Sequence, residues 1–432
     1  MTANSWVPPL PDGWQKTTLR RMGRIFAGGT PDRKNEFYWS GGDVPWLNSG
    51  AVNQGVITQP TTFITKQATM NGATRWVAPK SVLIALAGQG KTKGMSARTE
   101  IRSTFNQSLA AIEPNGNLDY RYLHYWVQSN YQNIRNLAGG DLRDGLNLDH
   151  IGSIEIPLPP RATQRDIADY LDHETAEIDA LVSDLSDLLA LLAERLPSAV
   201  QSHVSRLLLE NRTPAQTMTP RGRFNAPAHP FGEQWVSLGY LATVETGSMD
   251  TQDSQPDGDF PFFVRSDTVE RTHSYTFDQE AILTAGDGAG VGKVFHHFQG
   301  KFAAHQRVYV ITPQRVHGAF LYWVLRGYFG AIILGGTAKS TVESLRRPML
   351  TGFPVPDLSV QQQEEITQIM DSERNYVEMQ IANVRCALSL ARERRAALIT
   401  AAVTGQIDVT AKNKPAAEQL EDDIAQGLHR EN

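Results

Sequence analysis

The chain of 432 residues contains one cysteine, Cys386. A lone cysteine can form neither an internal disulfide nor a cysteine-based zinc site, so a reducing, cytoplasmic setting is expected. Long apolar runs are also missing. None approaches the roughly 20 residues needed to span a bilayer. The start, "MTANSWVPPLPDGW", has no basic segment followed by an apolar stretch, so no export signal is expected. An excess of basic charge is lacking too: 41 Lys+Arg against 46 Asp+Glu give a net −5, which does not by itself point to a nucleic-acid partner. What remains is a globular composition, 41% hydrophobic and 20% charged, in a chain too long for one ordinary core.

Motifs for chemistry are absent or imitated. "LIALAGQGKTKG", Leu83 to Gly94, satisfies a permissive phosphate-loop pattern. A working loop needs a helix starting at its Lys-Thr pair, so that the helix N-terminus faces the phosphates. The following "MSARTEIRSTF" opens no apolar helical stripe, and a second copy, "GDGAGVGKVF", has Val294 where a magnesium-binding hydroxyl would stand. "DHETAE" (His173, Glu174, Glu177) lacks the second histidine of a zinc-protease helix and reads as an acidic helix surface. His296, His297 and His305 have no matching ligands in the first copy. There is no Asn-Pro-Pro-aromatic motif and no dinucleotide fingerprint. No catalytic residue and no metal site are expected.

What is present is a repeat. "LIALAGQGK" at 83 returns as "ILTAGDGAGVGK" at 282, "FNQSLAAIEP" at 105 as "FAAHQRVYVITP" at 302, and "YLHYWV" at 122 as "FLYWVL" at 320. Pro114 and Pro313 are 199 apart, while Trp126 and Trp323, like Pro157 and Pro354, are 197 apart. A period near 200 residues is far too long for a solenoid and describes a duplicated domain pair. Charge follows it. Residues 1–155 carry 16 basic and 11 acidic side chains, 156–212 carry 5 and 10, 213–355 carry 12 and 12, and 356–432 carry 8 and 13. The expected division is therefore a first globular domain at 1–155, a central helix at 156–212, a second globular domain at 213–355, a C-terminal helix at 356–408 and a mobile or partner-dependent tail at 409–432.

The globular parts have short apolar runs between turn signals such as "AGGTPD" and "QPDGDFP", favouring strands with a few helices. "LDYRYLHYWVQSNYQNI" and "HGAFLYWVLRGYFGAI" have helical spacing and aromatic stripes suited to packing on a domain core. In the central helix Leu171, Ile178, Leu181, Leu185, Leu188 and Leu192 form an apolar seam, with Pro197 expected to break or bend it. The last helix starts with a Ser359/Gln362 capping box, carries a seam of Val377, Ile381, Val384, Leu388, Ala391 and Leu398 interrupted by Arg395, and ends near Thr404 with Gly405 as its left-handed cap. Two such helices can bury their seams against each other as an antiparallel coiled coil. The fold class is α+β: two mixed α/β domains, two long helices and an internal pseudo-twofold repeat.

Both glycine-rich loops have a lysine after the last glycine, Lys91 and Lys293. Exposed amides and a lysine suit a phosphate oxygen; the same residues also suit a tight turn with a solvated lysine, and the residues alone do not choose. "PWLNSGAVNQG" places Asn48, Ser49, Asn53 and Gln54 in a turn after a strand, and "PFFVRSDTVE" offers Arg265, Ser266 and Asp267 at the matching place. Such side chains read base edges in a major groove, though loop drift would also produce the differences.

The plan of domain, "IPLPP…QRDIADYLDHETAEIDALVSDLSDLLALLAER", second domain and "ERRAALITAAVTGQIDV" resembles the specificity subunit of type I restriction-modification systems over residues 10–410. "AGGTPD" and the "FNQSLAAIEP" strand resemble that family's target-recognition domain. "LPSAVQSHVSRLLL" diverges from the ending of the second helix, and "DFPFFVRSD" from "VPWLNSG". The resemblance implies a non-catalytic reader of a bipartite double-stranded DNA site, with the coiled coil setting a fixed gap. It implies docking of two methyltransferase subunits for adenine methylation and of motor-nuclease subunits for cleavage. S-adenosylmethionine, ATP and Mg would belong to those partners and none to this chain. The expected DNA contacts are Asn48, Lys91, Lys93 and Arg98 in the first domain and Arg265, Lys293, Gln306 and Arg307 in the second, lysines mostly on phosphates. Rival readings are a coiled-coil adaptor with two non-DNA heads, a nucleotide-using enzyme, and the same DNA reader in a methylation-only or other phage-defence assembly.

Overall fold

The structure, a computed structural model, describes residues 6–70, 72–88, 90–138, 145–210, 234–334 and 344–409. The expected tail at 409–432 lies outside them except for Val409. The chain forms two compact units that do not follow its linear order. Unit 1 joins residues up to Asp184 to those from Leu388 onward, and unit 2 is Leu185–Ala387. Each unit owns one globular part and a portion of each long helix.

In unit 1 a five-stranded sheet runs in the order Gly23–Ala27, Leu109–Pro114, Ser81–Ala85, Ser96–Thr99 and Val56–Ile57. Its pairs are antiparallel except the last. Strand Ser81–Ala85 is buried at every position because it has a core on each side. Alternation along the strand assigns Val82 and Ile84 to the core around Tyr122 and Trp126, and Leu83 and Ala85 to the core around Phe26, Phe105 and Ala111. A four-stranded sheet, Thr62–Ile64, Val44–Leu47, Ser103–Phe105 and Arg75–Val77, lies beyond. The ribbon of Gln15–Thr18 with Glu155–Leu158 ties the start of the domain to its end.

Unit 2 repeats this plan. Leu109↔Ala85 in unit 1 corresponds to Val308↔Ala285 in unit 2, and Thr17↔Ile156 to Val236↔Val355. One continuous strand, Phe295–Ala304, replaces Ser96–Thr99 and Ser103–Phe105, so a single six-stranded sheet results. The repeat extends to a backbone crossing: a Cβ on Gly28 would overlap the carbonyl of Phe105, and one on Gly247 that of Ala304. Only glycine lets the chain pass there.

The aromatic stripes are helices Tyr120–Ser129 and Gly318–Phe329, with Tyr122, Trp126, Phe320 and Trp323 fully buried. The long helices are Arg161–Glu210 and Val360–Val403. At 1.5 Å per residue they extend about 75 and 65 Å. The expected break at Pro197 is absent: the helix continues to Glu210, since a proline inside a helix removes one backbone hydrogen bond without necessarily ending it. The Ser359/Gln362 capping box forms at 3.1 and 3.3 Å. Gly405, at φ 72°, closes the last helix, with the Gln406 amide donating to Ala401 and the Gly405 amide to Ala402.

Within each unit the two helices run antiparallel. Asp179 receives a bidentate pair from Arg395 in unit 1, while Arg195 meets Glu373 and Arg206 meets Glu365 in unit 2. The seam is narrower than expected. Leu171, Ile178 and Leu192, and Val377, Val384, Leu388 and Ala391 are buried, but Leu181 and Leu188 are 49% and 41% exposed. Ile381, Leu185 and Leu398 are half-buried. A step of three residues lies about 60° off the line of sevens through 171, 178, 185 and 192, beyond what one partner helix covers. Among the described residues no helix is long and apolar enough to cross a membrane.

Candidate nucleic-acid interface

Both glycine loops leave an interior strand, Ser81–Ala85 or Phe277–Ala285, and both lead into another strand, Ser96–Thr99 or Phe295–Ala304. Neither loop runs on into an α-helix, so the arrangement in which a helix starts at the loop lysine and faces a nucleotide phosphate is missing. Gly90 and Gly94 of the first loop and Gly288 and Gly292 of the second have positive φ. These turns carry Lys91 and Lys293 outward; both side chains belong to exposed residues.

In unit 2 the expected contacts gather. Asp287 accepts from Arg265 Nη1 at 2.9 Å and from Arg307 Nη1 at 2.6 Å. Gly290 sits against the Arg265 carbonyl, so the loop, Arg265 and Arg307 form one patch. Desolvation pushes the Asp287 carboxyl up, but the two guanidinium hydrogen bonds outweigh it and hold its pKa below the usual carboxylate value. The carboxylate therefore stays charged and fixes both arginines with part of their hydrogen-bonding edges outward. Gln306 donates to Asp250 at 3.0 Å on the neighbouring turn.

In unit 1 the expected contacts do not gather. Asn48 caps the short turn Ser49–Gln54 and accepts from the Gly50 amide at 2.8 Å. Lys91 stands beside a groove of about 410 Å³ with Met95, Tyr131, Arg392 and Ile399, and its carbonyl takes the Tyr131 hydroxyl. Two of the expected contacts lie deeper than Lys91. Lys93 is only 5% exposed, its loop segment tied down by Arg135, which donates to the Lys93 carbonyl. Arg98 turns toward the central helix and binds Asp172 Oδ1 at 2.8 Å. Lys93 is buried, and Arg98 is partly buried and engaged by the central helix.

Arg98 belongs to a network that no local sequence pattern signals. Asp172 also accepts from Tyr125 at 2.7 Å and from Arg121 at 2.9 Å. Burial raises the Asp172 pKa, yet the hydrogen bonds from Tyr125, Arg98 and Arg121 bring it below its ordinary value. Burial, aided by Asp172, pushes the Tyr125 hydroxyl up to about 12. Nearby His124 is 3% exposed. Among the described residues no cluster of three His, Cys, Asp or Glu side chains could hold a metal.

Known proteins share this arrangement. A model of the type I restriction modification DNA specificity domain matches residues 11–186 and 232–382. The type I restriction enzyme EcoDI specificity subunit of Escherichia coli is 33% identical over 178 residues, covering 41% of this chain and 39% of that one. The HindI specificity subunit of Haemophilus influenzae is 29% identical over 157 residues, covering 35% and 33%. These matches span well under half the length of either relative. A chain from a solved type I R-M system has the same fold, with a TM-score of 0.65 at 15% identity, covering 93% of this chain and all of that one. With two matched segments that together make up most of its length, each centred on one copy of the repeat, the chain belongs to the family of type I restriction-modification specificity subunits.

Proposed function

We propose that the chain reads a bipartite double-stranded DNA site, one half-site per globular domain, with the paired helices fixing the gap. The observation that carries this is the repeat itself: two copies of one recognition architecture, each carrying a glycine loop with an exposed lysine and each packed with antiparallel segments of the two long helices. The chain contributes recognition and no catalysis. Methyltransferase subunits would dock on the helices and supply S-adenosylmethionine chemistry at adenine; motor-nuclease subunits would supply ATP- and Mg-dependent cleavage. In this assignment Lys91 and Lys293 hold phosphates, Arg265, Arg307 and Gln306 face bases in one half-site, and Asn48 is the remaining base-reading candidate in the other.

The test has two stages. Co-expression with the neighbouring methyltransferase gene and sequencing of the host DNA should give methyladenine in one split motif with a fixed gap. A stable complex without new methylation would favour a non-DNA adaptor. Methylation without cleavage on adding a motor subunit would place the reader in a methylation-only assembly. Lys91→Ala and Lys293→Ala should then weaken binding evenly across sequences, and each should flatten the plot of log affinity against log salt by about 0.9. Unchanged slopes for both variants would remove the phosphate role of the loops.

A further inference from the structure

One buried glutamine recurs at the root of each long helix. Gln164 is 1% exposed; its Oε1 accepts from the Asp119 amide at 2.8 Å, and its Nε2 donates to the carbonyls of Asn117 and Pro159 at 3.0 and 2.9 Å. At an offset of 199 residues, Gln363 is 8% exposed; its Oε1 accepts from the His317 amide at 2.9 Å, and its Nε2 donates to Leu358 at 2.8 Å. Asp119 and His317 are the N-caps of Tyr120–Ser129 and Gly318–Phe329. Each glutamine thus ties three segments together: the start of the domain's helix, the strand exit and the start of the long helix.

A second anchor repeats at the same offset. Asp172 accepts from Tyr125, and Asp371 accepts from Trp323 Nε1 at 3.3 Å. Each aspartate follows its glutamine by eight residues, about 12 Å along the helix. Apolar packing already seats the domain on its helix, as Ile167 and Leu171 share a core with Tyr122 and Trp126 in unit 1; two directional contacts at that separation add a fixed orientation to that packing. Packing alone does not require glutamine here, since a methionine would fill a similar volume. The amide adds directional bonds whose loss leaves buried groups unpaired.

We propose that Gln164 and Gln363, with Asp172 and Asp371 as second anchors, are positioning residues that set the direction in which each recognition domain projects from its helix, and with it the register of its half-site. The proposal rests on the bipartite reading above. The two joints differ in kind. Asp172 also takes Arg98 and Arg121 from its own domain, whereas Asp371 meets Arg374 on its own helix.

The test uses the full chain with its methyltransferase partner and sequencing of methylated sites. The wild-type complex is scored first: absence of a split motif overturns the bipartite reading rather than this proposal. Gln164→Met and Gln363→Met should keep the base preference of both half-sites while methylating sites with gaps one pair longer or shorter at least tenfold more often than wild type. Asp371→Ala, which removes a half-exposed side chain, supplies the same readout if a methionine variant yields no soluble complex. Folded variants with a lower melting temperature but the single wild-type gap would show a merely structural role and overturn the proposal.

Discussion

A chain ending at Ala387 is expected to lose the folded state of unit 1 while unit 2 still unfolds cooperatively. Ile399, Ala402, Val403 and Val409 belong to the same core as Leu19, Tyr122, Trp126 and Ile156, although hundreds of residues separate them in sequence. The Tyr122 hydroxyl donates to both the Pro157 and the Val403 carbonyls, at 3.0 and 3.1 Å, so truncation also removes one acceptor of a fully buried phenol. Three large aliphatic side chains at about 2 kcal/mol each give roughly 6 kcal/mol, comparable with the 5–15 kcal/mol that stabilises an ordinary domain. Loss of the Arg395–Asp179 pair adds little, because that pair is partly exposed. Calorimetry of the full chain and of the truncated chain should differ by the transition of unit 1, and limited proteolysis should then cut within residues 6–184. Equal protease resistance in both chains would sink this account of the core.

That long-range closure explains what the sequence could and could not convey. Local signals were legible: the Ser359/Gln362 box, the Gly405 cap, the aromatic helices around Trp126 and Trp323, and the strands leading into both glycine loops all depend on neighbours a few residues away. The repeat was legible because duplicated spacing survives divergence of individual residues. The compact units were not, because composition changes along the chain mark segments, whereas residues 388–409 complete a core begun at the other end. Lys93 and Arg98 resembled their exposed neighbours in a polar string, and only tertiary contacts bury one and pair the other. Leu181 and Leu188 matched a seam pattern that a single partner helix is too narrow to cover. Gln164 and Gln363 look ordinary in the first turn of a helix; their shared offset from the repeat was the signal that could have singled them out.

Acid is expected to weaken unit 1 well above the pH at which carboxylates protonate. His124 is held at a pKa of about 4, against 6.5 ordinarily. Burial is the main cause and the Arg98 charge adds to it, while the Ser96 carbonyl and Asp172 oppose them only in part. An unfolded imidazole takes up a proton below about pH 6.5 and the folded one does not until about pH 4. The unfolded state therefore binds more protons throughout that interval, and stability is full above pH 6.5 and falls as the pH descends. The slope is about 1.4 kcal/mol per pH unit, some 3 kcal/mol over the whole interval. Asp172 acts in a separate window: its lowered pKa means that its stabilisation persists above the ordinary aspartate value and is lost only below about pH 4. Unit 2 has Tyr322 where unit 1 has His124, counting from the helix caps Asp119 and His317, so it has no imidazole at that position. Denaturant titrations of the wild-type chain should show unit 1 losing about 2 kcal/mol between pH 6.5 and 5. His124→Gln should remove that slope, whatever it does to stability at pH 7.5, because the glutamine has no proton to gain. Parallel pH profiles for the two proteins would mean that the imidazole is protonated in the folded state, and that the Arg98–Asp172 network accommodates its charge rather than excluding it.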